Sequence, residues 1–138
     1  MSTRAIYSFI EGEQKNHVYK HHDGYPTGAA EWIAKALPIA WDPPRFEPDD
    51  FAAAFVAGNK DKGGGGIRLI AAEHKTPANE AARAFAADIE YRYEIRCVQG
   101  KLQVTAFSTS YWDGLEEEKL WEGEFGKMAK WAKDYESR

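Results

Sequence analysis

The most regular pattern in the chain is Ile89-Glu90-Tyr91-Arg92-Tyr93-Glu94-Ile95-Arg96, in which apolar and charged residues alternate. Successive side chains of a β-strand point to opposite faces, so this pattern predicts a strand with one buried face and one charged face. Gln99-Gly100 then supplies a turn, and apolar residues alternate again from Leu102 to about Thr109. We expect these two strands to pair antiparallel, with one face in contact with water.

Other segments of the chain also favour strands. The residues from Arg4 to Ile10 are largely apolar on both faces, which is typical of a strand buried on most of its surface. The polar stretch from Glu11 to Asn16 provides a turn, and His17 to His21 resumes an extended pattern, so a hairpin is predicted. Further strands are expected at Ile67 to Ala71 and at Lys119 to Phe125.

Four segments carry apolar residues at the helical spacing i, i+3, i+4, and three of them begin near a proline or an N-cap residue. The predicted helices run from about Gly28 to Leu37 after an N-cap at Thr27, from about Pro48 through Phe51 and Phe55, from Pro77 to Ala87 after an N-cap at Thr76, and from about Met128 to Tyr135.

These elements predict a single α+β domain over residues 1–138, with an antiparallel sheet and about three to four helices mainly on one face. Hydrophobic residues make up 43% and aromatic residues 14% of the chain, which is enough for a packed core. No internal repeat or domain linker is visible. The acidic run Glu116-Glu117-Glu118 is expected to be a solvated loop.

Composition excludes several classes of protein. The 18 basic and 22 acidic residues give a net charge of -4, so direct binding to a nucleic-acid backbone is not expected. The single Cys97 rules out an internal disulfide and suits a reducing compartment. No apolar run approaches the roughly 20 residues of a membrane span. We therefore predict a soluble, cytoplasmic protein with no membrane contact.

The densest group of chemically capable side chains is His21-His22-Asp23-Gly24-Tyr25-Pro26-Thr27-Gly28. Gly24 and Pro26 force a sharp turn here, and an aspartate in such a turn commonly bonds to nearby backbone. Imidazoles and a carboxylate suit zinc, manganese or iron. However, neighbouring side chains in an extended segment point to opposite faces, so neither a complete metal site nor a cofactor is predicted.

Catalysis is not favoured by the rest of the sequence. A His-Asp pair needs a nucleophile or a held water, and Ser8, Ser108, Ser110 and Cys97 lie in no recognisable nucleophile context. The glycines from Gly63 to Gly66 lack the phosphate-loop pattern and precede a strand, which indicates a mobile loop. Such a loop could be a linker or a lid.

A second hypothesis is a site for a nucleotide-like ligand beside the turn. Arginines and lysines bind anionic groups, and the glycine loop could cover such a pocket. The candidate ligand-binding residues are Arg4, His21, His22, Asp23, Tyr25, Lys62 and Arg92.

Four short, aromatic-rich blocks carry a resemblance to known proteins: Ser2-Thr3-Arg4-Ala5, His21 to Gly28, Asp88 to Ile95, and Leu120 to Phe125 before a Trp-bearing helix. They resemble a group of small, largely uncharacterised phage and prophage proteins, which open with a Thr-Arg strand and carry a His-x-Asp-Gly-Tyr-Pro turn. That group has Trp where this chain has His22. The resemblance implies a phage-derived accessory protein in the bacterial host cytosol and no defined activity.

Two functions are therefore expected from the sequence. The first is a non-catalytic accessory protein that binds a host protein and inhibits a bacterial defence system, in the manner of an anti-CRISPR protein. The second is sequestration or processing of a nucleotide-like ligand in a pocket beside His21 to Gly28. The oligomeric state stays open, with a homodimer among the alternatives.

Overall fold

A computed structural model describes residues 3–60, 66–70, 80, 89–110 and 116–137. These residues form one six-stranded sheet and three complete α-helices, which confirms the predicted α+β class. The strands are β1 (Arg4–Glu11), β2 (Gln14–Lys20), β3 (Ile67–Leu69), β4 (Ile89–Val98), β5 (Lys101–Ser110) and β6 (Glu116–Glu124), and the helices are α1 (Pro26–Ala36), α2 (Pro48–Asn59) and α3 (Met128–Glu136), preceded by a 3-10 helix at Phe125–Lys127.

The sheet is mixed, with the strand order β3-β2-β1-β4-β5-β6. β1 and β4 pair in parallel, and the other neighbouring strands pair antiparallel. The predicted all-antiparallel sheet is therefore wrong at its centre. The hairpin to β2 occupies one side of β1, so β4 adds to the other side, and alternation within a strand carries no information on direction.

A tight turn sets the register of the hairpin formed by β4 and β5. Gln99 and Gly100 have φ values of 52° and 79°, and they join β4 to β5 between the paired residues Val98 and Lys101. Two central residues with positive φ match the right-handed twist of the flanking strands. The predicted turn at Gln99-Gly100 is confirmed.

A register shift in β4 changes the face of its first residue. Arg4 lies opposite Ile89, whereas Ala5 lies opposite Tyr91, so Glu90 is an extra residue in the pairing. Ile89 consequently packs with Ile6 and Tyr19 in a separate buried cluster. The prediction that Ile89 shares a face with Tyr93 is therefore wrong.

The main core lies between the sheet and the three helices. Tyr7 and Phe9 of β1 are fully buried, with ring centroids 4.6 Å and 5.5 Å from Phe55 of α2. Tyr93 of β4 stacks on Tyr7 at 5.2 Å. Ile33 of α1 and Met128 of α3 belong to the same cluster, as does Ile95. The helices thus cover one face of the sheet. The further helix predicted within the segment from Thr76 to Ala87 lies, apart from Glu80, outside the described residues.

The first turn of α1 depends on α3. Pro26 is the first residue of α1, and Tyr25, the residue before it, makes no side-chain cap, so the predicted N-cap at Thr27 is wrong. The Thr27 amide instead donates to Glu136 Oε2 at 2.7 Å, and its hydroxyl donates to Glu136 Oε1 at 2.8 Å. A carboxylate at the N-terminal end of a helix accepts hydrogen bonds from its free amides and interacts favourably with the positive end of the helix dipole. Glu136 therefore fastens α3 to α1.

The acidic run near the C-terminus is part of the sheet. Glu116, Glu117 and Glu118 are the first residues of β6 and pair with β5, so the predicted solvated loop is wrong. Further along β6, Trp121 stacks on Trp131 of α3 with centroids 5.2 Å apart and planes at 10°. This contact holds the terminal helix against the sheet.

Two buried tyrosines provide a matched test of hydrogen bonding in the core. The Tyr93 hydroxyl donates to the Gly24 carbonyl at 2.6 Å, whereas the buried Tyr7 hydroxyl has no partner among the described residues. Tyr93→Phe should lower the free energy of unfolding by about 1 kcal/mol, and Tyr7→Phe should leave it unchanged or raise it by up to about 1 kcal/mol. Urea titration of both variants checks this, and equal losses would contradict it.

Candidate functional site

The predicted turn after β2 is held by backbone groups. Asp23 has a positive φ of 56°, and the next amide, on Gly24, donates to the Thr3 carbonyl at 2.8 Å. The Asp23 carbonyl accepts from the Trp32 indole N–H at 3.0 Å, and the Gly24 carbonyl accepts from Tyr93. The turn is thereby bound to α1, to β4 and to Thr3, the residue before β1.

The two glycines of this turn are required by close packing. A Cβ atom on Gly24 would lie 2.6 Å from the Ala5 Cβ, and one on Gly28 would lie 2.2 Å from the Asp23 carbonyl oxygen. Real Cβ atoms do not come this close to other heavy atoms. These contacts favour a structural role for the motif, because the tight turn leaves no room for a side chain at either glycine position.

His21 forms the centre of a small polar cluster beside the turn. Its Nδ1 accepts from Arg4 Nε at 3.3 Å and from the Tyr19 hydroxyl at 2.6 Å, which places the proton of the neutral ring on Nε2. The His22 ring packs edge-on at 4.6 Å. Desolvation, the Arg4 charge and His22 together lower the pKa of His21. The backbone amide of His21 also donates to the Gly66 carbonyl at 2.8 Å.

Tyr25 lies at the exposed edge of the same turn, with 37% of its surface accessible. Desolvation and the nearby carboxylates of Asp23, Glu136 and Glu31 raise its pKa, as does a hydrogen bond with Asp23. A phenol with a raised pKa stays protonated at neutral pH, so Tyr25 can donate a hydrogen bond but is a poor base.

Arg92 is engaged in ion pairs on the sheet face away from the three helices. Its side chain is 4% exposed, and it donates to both carboxylate oxygens of Glu117 at 2.7 and 3.0 Å and to Glu94. Arg96 also donates to Glu94 at 2.9 Å. Burial alone would raise the pKa of Glu94, but its hydrogen bonds with Arg92 and Arg96 outweigh burial and lower it. The Arg92 guanidinium is thus already matched by two carboxylates.

A buried serine–histidine pair on that face was not foreseen as a pair from the sequence. Ser8 Oγ lies 2.8 Å from His17 Nδ1, and the two residues are 0% and 4% exposed. Ser8 lies beside Glu94 in the register, and Glu94 lies opposite Thr105. Because Ser8 has no accessible surface, a substrate cannot reach its hydroxyl in this conformation. Ser8, Glu94 and Thr105 lie side by side on neighbouring strands because of the strand register, which no local sequence pattern shows.

The structure therefore brings together Arg4, His21, His22, Asp23 and Tyr25 in and beside one turn. It places Arg92 in a separate set of ion pairs, and Lys62 lies outside the described residues, as does most of the glycine loop. Across the described ranges, no group of three or more His, Cys, Asp and Glu side chains is placed to hold a metal ion. The ligand-binding roles of the seven predicted residues stay predictions.

Two open grooves of about 630 Å³ each lie elsewhere on the surface. Both have mainly apolar walls. The first groove lies between α2 and the strands β2 and β3, and its lining includes His17, Val18, Ala52, Val56, Leu69 and Ile70. The second groove lies between α1 and α3, and its lining includes Ala30, Glu31, Ala34, Phe125, Ala129 and Lys133.

No protein-family model, curated protein or solved structure matches the chain. The resemblance to phage and prophage proteins therefore stays a prediction. Among the helices of the described residues, none is long and apolar enough to cross a membrane.

The structural role of the turn can be tested with one pair of glycine variants. Gly28→Ala should lower the free energy of unfolding by about 2 kcal/mol, because the new methyl group would overlap the Asp23 carbonyl. Gly126→Ala is the control, since a Cβ atom there meets nothing within 4 Å, and it should change stability by less than about 0.5 kcal/mol. Thermal and urea unfolding measure both, and a harmless Gly28→Ala would contradict this account.

Stability should also depend on the charge of His21. The folded-state pKa lies below the ordinary 6.5, so the contribution of neutral His21 is complete above pH 6.5 and is lost as the pH falls through the folded-state value. His21→Asn keeps an acceptor for Arg4 and Tyr19 but does not titrate. Relative to this variant, the wild type should lose stability as the pH falls below about 6.5. A difference that is constant with pH in urea titrations would refute the prediction.

Proposed function

We propose that this protein is a non-catalytic binding protein of phage or prophage origin, which contacts a host protein and inhibits a bacterial defence system. The resemblance of four sequence blocks to small phage and prophage proteins supports the origin. The net charge of -4 favours a partner with a basic surface.

The observation that carries this function is the contrast between the reactive side chains and the open surfaces. Ser8 and His17 are buried together, Arg92 is matched by Glu94 and Glu117, and His21 is bonded to its neighbours. The open grooves, by comparison, have mainly apolar walls. Concave, mainly apolar surface of this kind is suited to binding another molecule.

Exposed apolar side chains also support a binding function. Leu69 is 72% exposed beside the α2 groove, and Ile39 and Trp41 are 52% and 43% exposed after α1. The Arg45 guanidinium lies 3.3 Å above the Trp41 ring, and such aromatic and arginine groups are enriched in protein–protein interfaces. These residues give the protein contact surface that its own fold does not use.

The test combines binding with phage growth. The tagged protein is expressed in bacteria that carry defined restriction or CRISPR systems, and the plating efficiency of a susceptible phage is measured beside affinity capture of host proteins. We expect plating to rise in at least one defended host and a component of that defence system to be captured.

His21→Asn serves as the control for catalysis in the same experiment. It should leave both the capture and the plating effect unchanged at neutral pH, because binding to a host protein does not need a titrating imidazole. No effect on plating together with no captured host protein would refute the proposed function. Loss of the plating effect in a folded His21→Asn protein would instead favour chemistry or ligand binding at this residue.

One observation supports a second function, the sequestration of a nucleotide-like ligand. Arg4, Tyr19, His21 and His22 adjoin one another at the half-exposed side of the turn, and they combine one cation with hydrogen-bonding rings. Thermal-shift measurements against cyclic and linear nucleotides and divalent metals test it. A ligand at 100 times its dissociation constant should add about 2.7 kcal/mol of stability, and Arg4→Met should remove the effect. No shift across the panel would exclude this function for the compounds tested.

A further inference from the structure

The groove between α1 and α3 has a floor of small residues and walls made by two helices. Ala30 and Ala34 of α1 face Ala129 of α3 across it, and Phe125 borders it where the chain enters α3. Ala34 and Ala129 are both exposed. A Cβ atom on the adjoining Gly126 would meet no other atom within 4 Å, so the space beside Phe125 is open.

This groove is held open by contacts on the far sides of its walls. The large side chains of α3, Trp131 and Tyr135, pack with Trp121 and with each other. At one end Glu136 binds Thr27, which fixes the position of α3 relative to α1. Because the bulky residues of α3 are used elsewhere, its small residues remain to line the groove.

The two walls carry opposite charges. Glu31 stands on α1 and Lys133 on α3; both are exposed, and within the described ranges neither forms an ion pair. Their charges are therefore available to a molecule that lies in the groove. Such rim charges set the orientation of a bound helix more than its affinity.

We propose that the α1–α3 groove binds an amphipathic helix of the partner protein, which seats a large apolar side chain over Ala34 and Ala129. The helix carries basic residues on the flank that faces Glu31 and acidic residues on the flank that faces Lys133. This inference rests on the proposed function, since it names the surface through which the host protein is bound.

Other occupants fit the groove less well. A third helix packs readily into the groove between two helices, whereas an extended strand would find no strand among the lining residues with which to pair its backbone groups. A second copy of the chain that used the same groove would set one concave surface against another and leave an empty space. A small anion would meet one cation, Lys133, and a carboxylate, Glu31.

The first test fills the groove. Ala34→Trp places an indole where the partner's side chain would lie, and because Ala34 is exposed this variant should fold, as circular dichroism and thermal unfolding would verify. We expect its affinity for the captured host protein to fall by at least about tenfold. Lys130→Trp, at an exposed position of α3 outside the groove lining, is the matched control and should bind as the wild type does. Leu69→Glu tests the α2 groove as the alternative contact surface.

The second test changes charge without changing shape. Lys133→Glu should weaken capture by about three- to tenfold, while Lys130→Glu, an equally exposed change on the same helix outside the groove lining, should not. A peptide of the captured protein that contains the contacting helix is then synthesised with its acidic flank replaced by lysines. This peptide should bind Lys133→Glu better than it binds the wild type.

The outcomes separate this inference from the function on which it rests. Capture of a defence component by the wild type that is unaffected by Ala34→Trp and by Lys133→Glu would overturn the groove assignment and leave the proposed function standing. Loss of capture in Leu69→Glu alone would do the same, and would move the contact to the α2 groove. If the wild type captures no defence component and does not change phage plating, the proposed function fails, and the groove assignment fails with it.

Discussion

The parallel pairing of β1 with β4 is the constraint on which the rest of the structure depends. It places β1 inside the sheet, where Tyr7 and Ile6 on its opposite faces are both fully buried. Tyr93 of β4 stacks on Tyr7 and reaches the Gly24 carbonyl, so the centre of the sheet also fixes the turn into α1. The helix layer is positioned from this pair outward, because its core residues pack on β1 and β4.

The two faces of the sheet are stabilised by different kinds of contact. One face is closed by aromatic and aliphatic contacts with three helices. The other holds Arg92 between Glu94 and Glu117, where the carboxylates balance the cost of burying a guanidinium. Since a buried charge without its partner is expensive, these residues are explained by each other. Two open grooves with mainly apolar walls lie beside the helices.

Local pattern predicted most of the elements. The strands at Arg4 and Ile89, the helix at Pro26 and the terminal helix that contains Tyr135 all occur, because hydrophobic periodicity and proline positions act within a few residues. The turn from His21 to Gly28 was also recognised. Its glycines, however, could be explained only once Ala5 and the Asp23 carbonyl were seen against them, since these close contacts join distant or folded-back parts of the chain.

The sequence by itself determined the α+β class, the hairpin turns and the chemical inventory of the candidate site, because propensity and alternation are local properties of the chain. Tertiary structure alone decided the parallel direction of β4 and the position of Ile89 on the sheet face opposite to that of Tyr93. It also placed Glu117 in a strand from which its carboxylate forms an ion pair with Arg92. It also decided the groove between α1 and α3. Each of these depends on which distant segments become neighbours, and that choice is made by burying the whole core at once.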